Sequence, residues 1–406
     1  MRVLIVAVGS RGDVAPYVGL GQRLQQAGFQ VAIATHDAFS DMVGEIGLER
    51  RKLSGDPQSL IRARMRPGSE ADRRRATIDF VSAISDDIVH AAELGADVIL
   101  TCLGQTPLSW LVATGFGVPS MGVYLAPAVP TAEFPMPGSV KPDDGDNRAA
   151  GQRMLDQART IYADVLPRLS RRLGLPEDAG EAVWGRWFGT PGLPISLGYS
   201  AAIVPRPADW PDSVEVVGYW WPAVPPNWQP SQELTAFLAA GPPPVFVGFG
   251  SMGVGVGEQL GPVIMAAVRS AGVRAVVQAG WAELSVAGDD VLRIGDVPHE
   301  WLFPRMAAAV HHVGAGTTGA ALRAGLPTVA VPVMADQPFW ADRVHQLGAG
   351  PAPVPFADLT PERLAAAIRA ALDEPGHRLR AAELARLING DDGAGAVLTR
   401  IEQITS

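Results

Sequence analysis

The stretch His311–Gln337, HHVGAGTTGAALRAGLPTVAVPVMADQ, decides how the rest of the chain is read. It opens at the end of a short apolar run, 309–311, and passes through Gly314-Ala315-Gly316 into a helical pattern over 317–325. A second apolar run, 327–331, follows at once. Strand, glycine turn, helix and strand in this order belong to a parallel sheet. Glycines at such a turn let the backbone approach a ligand closely. Thr317 and Thr318 fall in the first helical turn, where amides without intrahelical acceptors and the helix dipole favour an anion. His312 precedes the glycines and has a ring N–H to offer a phosphate oxygen. The same residues also suit an ordinary strand-to-helix turn with N-cap threonines.

Outward from this stretch the pattern repeats. Apolar runs at 244–249, 273–278 and 291–294 read as strands, with helical stretches at 259–271 and 299–307. The first hundred residues carry a second set. Val3–Val8 is a continuous apolar run, as expected of a strand buried on both faces. A helical face with Leu20, Leu24 and Ala27 follows, closed by Gly28. Gln30–Ala34, Asp97–Thr101 and Pro119–Tyr124 read as further strands. Between the sets lies GYWWPAVPPNWQP, 218–230, rich in Pro and Trp and suited to a linker. The expected architecture is α/β, with two Rossmann-like doubly wound domains facing a cleft. The boundaries are 1–217, a linker at 218–242, and 243–406, with a return of the last helix to the first domain as an option. Segments 50–80 and 133–195 read as irregular. Residues 49–75 hold nine basic and four acidic side chains, read as a solvated loop ahead of an anion- or membrane-binding patch.

Composition sets limits. With 406 residues the chain has length for two or three domains, and 47% hydrophobic residues supply large cores. A net charge of −9 disfavours nucleic acid as a partner, because phosphate binding needs surplus Lys and Arg. Cys102 is the single cysteine, so neither a disulfide framework nor a cysteine zinc site can form. No apolar run reaches the roughly 20 residues of a membrane span, and the start lacks a cleavable leader pattern. A cytoplasmic location is expected.

GFGSMG, 248–253, fits G-x-G-x-x-G after a strand, a weak dinucleotide signal. The next strand ends Gln278-Ala279-Gly280-Trp281, without the acidic residue that would bind a ribose. Asp144-Gly145-Asp146 fits a DxD metal signature but sits in a charged Pro/Gly loop and reads as a turn. No metal is expected. Trp184, Trp187 and Phe188, with Trp110 and Phe134 upstream, read equally as an apolar acceptor wall or as domain core.

Taken whole, 311–337 resembles the donor-binding signature of the GT-B nucleotide-sugar-dependent glycosyltransferases of family 1, in the branch of bacterial antibiotic and sterol-type enzymes. The resemblance runs through GSRGDVAPYVGLGQRL (9–24), PVFVGFGSM (244–252), GDVPHEWLFPRM (295–306) and ADQPFWADRV (335–344). It implies that His312, Gly314, Gly316 and Thr317 hold a donor diphosphate, with Thr318 close by and Ser251 reaching it. It implies that Val297 meets the base through its backbone, with His299 nearby, and that Asp336 and Gln337 bond the sugar hydroxyls. Val313 departs from the pattern, standing where relatives often have Gly; a β-branched residue restricts φ there.

The base that deprotonates an acceptor hydroxyl is expected in the first domain, at the carboxyl end of strand one. Many plant relatives use a His in this loop; here the first histidine is His36. The antibiotic and sterol-type branch uses the Asp of GxRGD, which is Asp13. The competing reading makes Asp13 a cap for the helix beginning near Pro16, and His36-Asp37 is the alternative pair. The expected reaction is inverting transfer of a sugar to a hydroxyl of a hydrophobic natural product. The resemblance implies UDP-glucose as donor substrate, or a dTDP-deoxysugar as in antibiotic-type relatives; no cofactor is expected. A nucleotide-sugar epimerase and a non-catalytic partner of a transferase are the other open classes.

Overall fold

The computed structural model describes residues 1–65, 69–139, 142, 145–187, 192–250, 257–280, 284, 286 and 288–406. The chain forms two compact units. The first comprises Met1–Ala201, Pro205–Pro226 and Asp392–Ser406; the second comprises Ala202–Val204 and Asn227–Asp391.

The first unit is built on seven strands: β1 (Arg2–Val6), β2 (Gln30–His36), β3 (Glu49–Leu53), β4 (Val98–Thr101), β5 (Ser120–Tyr124), β6 (Ile195–Leu197) and β7 (Val214–Val216). Their order is β3-β2-β1-β4-β5-β6-β7 and every pairing is parallel. Val3 sits level with Val31 on one side and Val98 on the other. Side chains alternate across the sheet. Val3, Ile5 and Ala7 join one core with the helix Arg11–Gln26. Leu4 and Val6 join another with the helices Glu70–Glu93 and Thr106–Phe116. A sheet covered on both faces explains why its central strands read as unbroken apolar runs.

The second unit repeats the plan with β8 (Val245–Gly248), β9 (Ala275–Gln278), β10 (Val291–Ile294), β11 (Ala308–His311) and β12 (Thr328–Ala330), ordered β10-β9-β8-β11-β12 and all parallel. Val245, Val247 and Phe249 face the helices Gly257–Ala271 and Pro361–Asp373, while Phe246 faces Phe303 and Leu302. In both sheets the order reverses beside the first strand, between β1 and β4 and between β8 and β11. Open α/β sheets bind ligands outside the carboxyl ends of strands at such a reversal.

Several expectations are corrected. The stretch 218–242 is not one linker: it divides at Pro226/Asn227. It contains a helix, Gln232–Ala239, whose Leu234 is buried with Phe246 and Leu302 in the second unit. The last helix, Gly393–Thr405, takes the option of returning to the first unit: it buries Ala394, Val397 and Ile401 in that core. Arg400 of that helix is buried too, bonding the Ile195 and Ser213 carbonyls and pairing with Glu215. The segments read as irregular hold helices: Pro57–Met65, Glu70–Glu93, Asn147–Tyr162, Val165–Arg172 and Glu181–Trp187. ERRKL, 49–53, is an edge strand. Its charges hide it from an apolar-run reading but suit an edge. Within it Arg51 is buried on the Ala91 and Gly95 carbonyls, and Arg50 and Lys52 pair with Asp37, so this part of the basic run is not a solvated loop. Among the described residues no helix is long and apolar enough to cross a membrane.

Candidate active site

In the second unit the reversal point brings two glycine turns around one imidazole. β8 ends in Gly248-Phe249-Gly250, and β11 ends at His311, opposite Gly248. The His312 ring lies between the turns. A Cβ at Gly250 would stand 3.0 Å from its Cε1, and one at Gly314 would stand 2.9 Å from its Nε2. Only glycine at both places leaves room for the ring. Burial pulls the His312 pKa down to about 4, with the Gly248 backbone only partly offsetting it. The ring is therefore neutral at pH 7 and carries one N–H.

Gly314 is the N-cap of the helix Ala315–Arg323 and offers no side chain to its amides. The first-turn amides, those of Ala315, Gly316 and Thr317, have no intrahelical acceptor by construction. With the helix dipole they form an anion-favouring end next to His312. Thr317 is half-buried there, and the Thr318 hydroxyl is enclosed with no hydrogen-bond partner among the described residues.

Val313 adopts the left-handed φ of +55°. Its side chain is fully buried, and its N–H donates to His311 Nδ1 at 3.1 Å. The amide at this position is thus engaged by the preceding imidazole. That bond requires His311 to carry its proton on Nε2. Burial, reinforced by His312 and His299, keeps its pKa well below the ordinary value.

Val297 is half-buried against the Phe246–Phe303 core. His299 opens a short helical turn and stacks on Phe303, with centroids 4.2 Å apart and planes within 11°. Asp336 is the N-cap of the helix Gln337–Gln346. Its Oδ2 accepts the Trp340 indole N–H at 2.8 Å. Gln337 is buried, and its Oε1 accepts the amides of Val333 and Met334 at 2.8 and 3.1 Å. Its carbonyl therefore braces its own loop rather than facing outward. Ser251 and Trp281 lie outside the described residues.

In the first unit the loop after β1 carries Asp13 into the first turn of the helix Arg11–Gln26. Asp13 Oδ2 accepts the Ser10 N–H at 2.7 Å and the Ser10 hydroxyl at 2.8 Å. The helix starts five residues before Pro16, so Asp13 is not its N-cap but the third helical residue, reaching back to brace the cap. Its side chain is exposed. Gly9 makes the arrangement possible: its φ is +138°, and a Cβ there would fall 2.5 Å from Asp13 Oδ2.

The pair His36-Asp37 does not form. The buried His36 ring lies against Phe80, while Asp37 turns to Arg50 and Lys52. Trp187 is buried, and its indole N–H donates to the Tyr124 hydroxyl at 2.8 Å. Trp184 lies between Tyr162 and Trp187, and Trp110 packs on the same core. Phe134 pairs edge-on with Trp210. Asp146 caps the helix Asn147–Tyr162 through the Ala149 amide, while Asp144 and Phe188 lie outside the described residues. Sequence reading missed His311, Gly250 and Trp340. The spacing Asp336…Trp340, i and i+4 at a helix start, was the available signal for the last.

Residues 3–96 match the glycosyltransferase family 28 N-terminal domain. Residues 268–402 match the C-terminal domain of the erythromycin biosynthesis protein CIII-like family. The chain is 33% identical to a sterol 3-beta-glucosyltransferase of Arabidopsis thaliana, over 98% of its own length and 67% of the relative's. It is 34% identical to the O-mycaminosyltylonolide 6-deoxyallosyltransferase of Streptomyces fradiae, over 99% of its own length and 97% of that protein's. Among solved structures, the kitacinnamycin glycosyltransferase superimposes with a TM-score of 0.71 at 20% identity, covering 99% of this chain and 98% of that one. The glycosyltransferase VinC, solved in complex with dTDP, does so at 0.67 and 22%, covering 100% and 99%. At that identity the structures speak for the fold alone, and the full-length relatives speak for the family. The two parallel-sheet units are thus those of the GT-B fold, and the chain belongs to the family 1 glycosyltransferases and is a glycosyltransferase enzyme.

Proposed function

We propose that this glycosyltransferase moves a sugar from a nucleoside diphosphate to a hydroxyl of a hydrophobic natural product, with inversion at the anomeric carbon. The observation that carries the reading is the neutral His312 set between Gly250 and Gly314, beside the uncapped amides of the helix Ala315–Arg323. These groups would receive the diphosphate, with Thr317, and Asp336 would accept hydroxyls of the sugar. Asp13 would take the acceptor proton. The hydroxyl oxygen then bonds to the anomeric carbon as the bond from that carbon to the diphosphate breaks. Charge growing on the leaving diphosphate meets preorganised donors, an effect worth more than the same donors in water. Thr318, with its enclosed hydroxyl, and Gln337, with its carbonyl braced on its own loop, drop to supporting roles.

The sterol 3-beta-glucosyltransferase relative supports glucose as the sugar and a sterol-like acceptor, and we propose UDP as its carrier. The Streptomyces 6-deoxyallosyltransferase, matched over nearly its whole length, supports a second reading: a deoxysugar, proposed on dTDP, and an antibiotic-type acceptor. The test incubates the protein with UDP-glucose or dTDP-glucose and a pooled panel of hydrophobic alcohols and phenols, read by mass spectrometry. Asp13→Asn is the informative variant, because its amide oxygen can still accept from Ser10 while the base is gone. Transfer is expected to fall by about 10²–10⁴ with the melting temperature unchanged. Transfer at near wild-type rate removes Asp13 as base. Neither product nor donor binding by the wild type removes the donor-site reading.

A further inference from the structure

The loop before the helix Gln337–Gln346 places an aspartate at the N-cap that does not cap. Asp336 makes no side-chain bond to its helix's amides, although aspartate is among the favoured N-cap residues for that purpose. Its Oδ2 instead meets the indole N–H of Trp340 at 2.8 Å. Trp340 is fully buried and is the largest fully buried side chain among the described residues. A buried indole N–H must find an acceptor, and a carboxylate makes that bond charge-assisted. Helical side chains lean toward the N-terminus, which aims the indole of residue 340 at the cap. Two further features stiffen the loop. Ala335 takes the left-handed φ of +57°, and Gln337 holds the amides of Val333 and Met334. The half-buried carboxylate is thus fixed from behind by an immobile ring. A carboxylate offers about four acceptor positions, and the indole hydrogen takes one of them.

We propose that Trp340 is a positioning residue for the donor sugar: its indole N–H holds the Asp336 carboxylate in the orientation that accepts sugar hydroxyls. This rests on the assignment of Asp336 to the sugar under Proposed function. Trp340 does not touch the donor. It engages the carboxylate in place of the helix amides.

The experiment measures UDP-glucose and dTDP-glucose against UDP and dTDP in wild type, Trp340→Phe, Asp336→Ala and the double variant. Trp340→Phe keeps an aromatic ring in the core and removes the N–H. It is expected to raise the KM for the sugar nucleotide about 10- to 150-fold, on the scale of one charge-assisted hydrogen bond, while the Kd for the free nucleotide moves less than twofold. Asp336→Ala gives the same split, and the double variant is no worse than the worse single. Sugar-nucleotide and nucleotide affinities falling together would mark Trp340 as structural only and overturn the proposal; so would losses that multiply in the double variant, or no loss at all. Should Trp340→Phe fail to unfold cooperatively, nitrogen-15 spectra of the ten tryptophan indoles supply the second reading. One exchange-protected indole signal shifts with Asp336→Asn and with sugar nucleotide, but not with nucleotide alone; absence of such a signal overturns the proposal. A wild type that binds UDP or dTDP but no sugar nucleotide fails the parent reading, and the role of Trp340 falls with it.

Discussion

Val313 shows how a single residue can oppose its own backbone. A β-branched side chain in the left-handed region carries strain of about 1–2 kcal/mol, yet its full burial contributes about 1.5–3 kcal/mol. Burial wins. Val313→Gly is therefore expected to lower stability by about 1 kcal/mol, the difference of those two terms, despite restoring the glycine usual in the family pattern. Urea titration checks this; a stabilised variant would mean that the strain is larger than the packing. Gly9 presents the opposite case. A methyl group there would need φ of +138° and would stand 2.5 Å from Asp13 Oδ2. Gly9→Ala is expected to cost about 1–3 kcal/mol and to lower transfer at least tenfold by displacing Asp13. Initial rates compared with those of Asp13→Asn test it.

At the scale of elements, the helix Gly393–Thr405 matters most to the first unit although it comes last in the chain. Val397 and Ile401 are fully buried there, and Trp220 donates its indole N–H to the Gly393 carbonyl. Two fully buried branched side chains are worth about 3–6 kcal/mol, against a total of about 5–15 kcal/mol for a domain. A chain ending at Asp391 is expected to lose most of the stability of its first unit. Cys102 provides the readout. It is the single cysteine, lies in the core containing that helix, and burial pushes its thiol up to about 12. In the intact protein it should resist thiol reagents, because thiolate and access are both lacking. In the shortened chain it should react at least tenfold faster. Equal rates would mean that the helix is dispensable to this core.

For the whole molecule, three histidines set the acid limit. His36, His311 and His312 all have pKa values lowered by burial, His312 to about 4. Each is neutral when folded and binds a proton more readily when unfolded. Their contribution is therefore complete above the ordinary histidine value near 6.5 and is lost as pH falls toward the folded values. The denaturant midpoint is expected to fall from pH 6.5 toward pH 4, and His312→Asn should flatten that slope while weakening donor binding. A midpoint independent of pH across this window would contradict the neutral state of these rings.

The sequence alone carried the architecture. Apolar runs of strand length at 3–8, 244–249 and 309–311, each followed by glycine and a helical pattern, specify parallel sheets because strands buried on both faces must be apolar throughout. GSRGD and HxGxGTT were legible for a related reason: local backbone geometry at a strand-to-helix turn tolerates few residue types. What the sequence left open was decided by tertiary contact. ERRKL is a strand only because β2 offers it an edge, and the last helix joins the first unit only because Val397 and Ile401 find their core there. Gln337 braces its own loop because the amides of Val333 and Met334 lie within reach. Trp340 meets Asp336 because one turn of helix brings a buried indole N–H to a half-buried carboxylate. Periodicity records what a residue buries; which partner it meets depends on the folded chain around it.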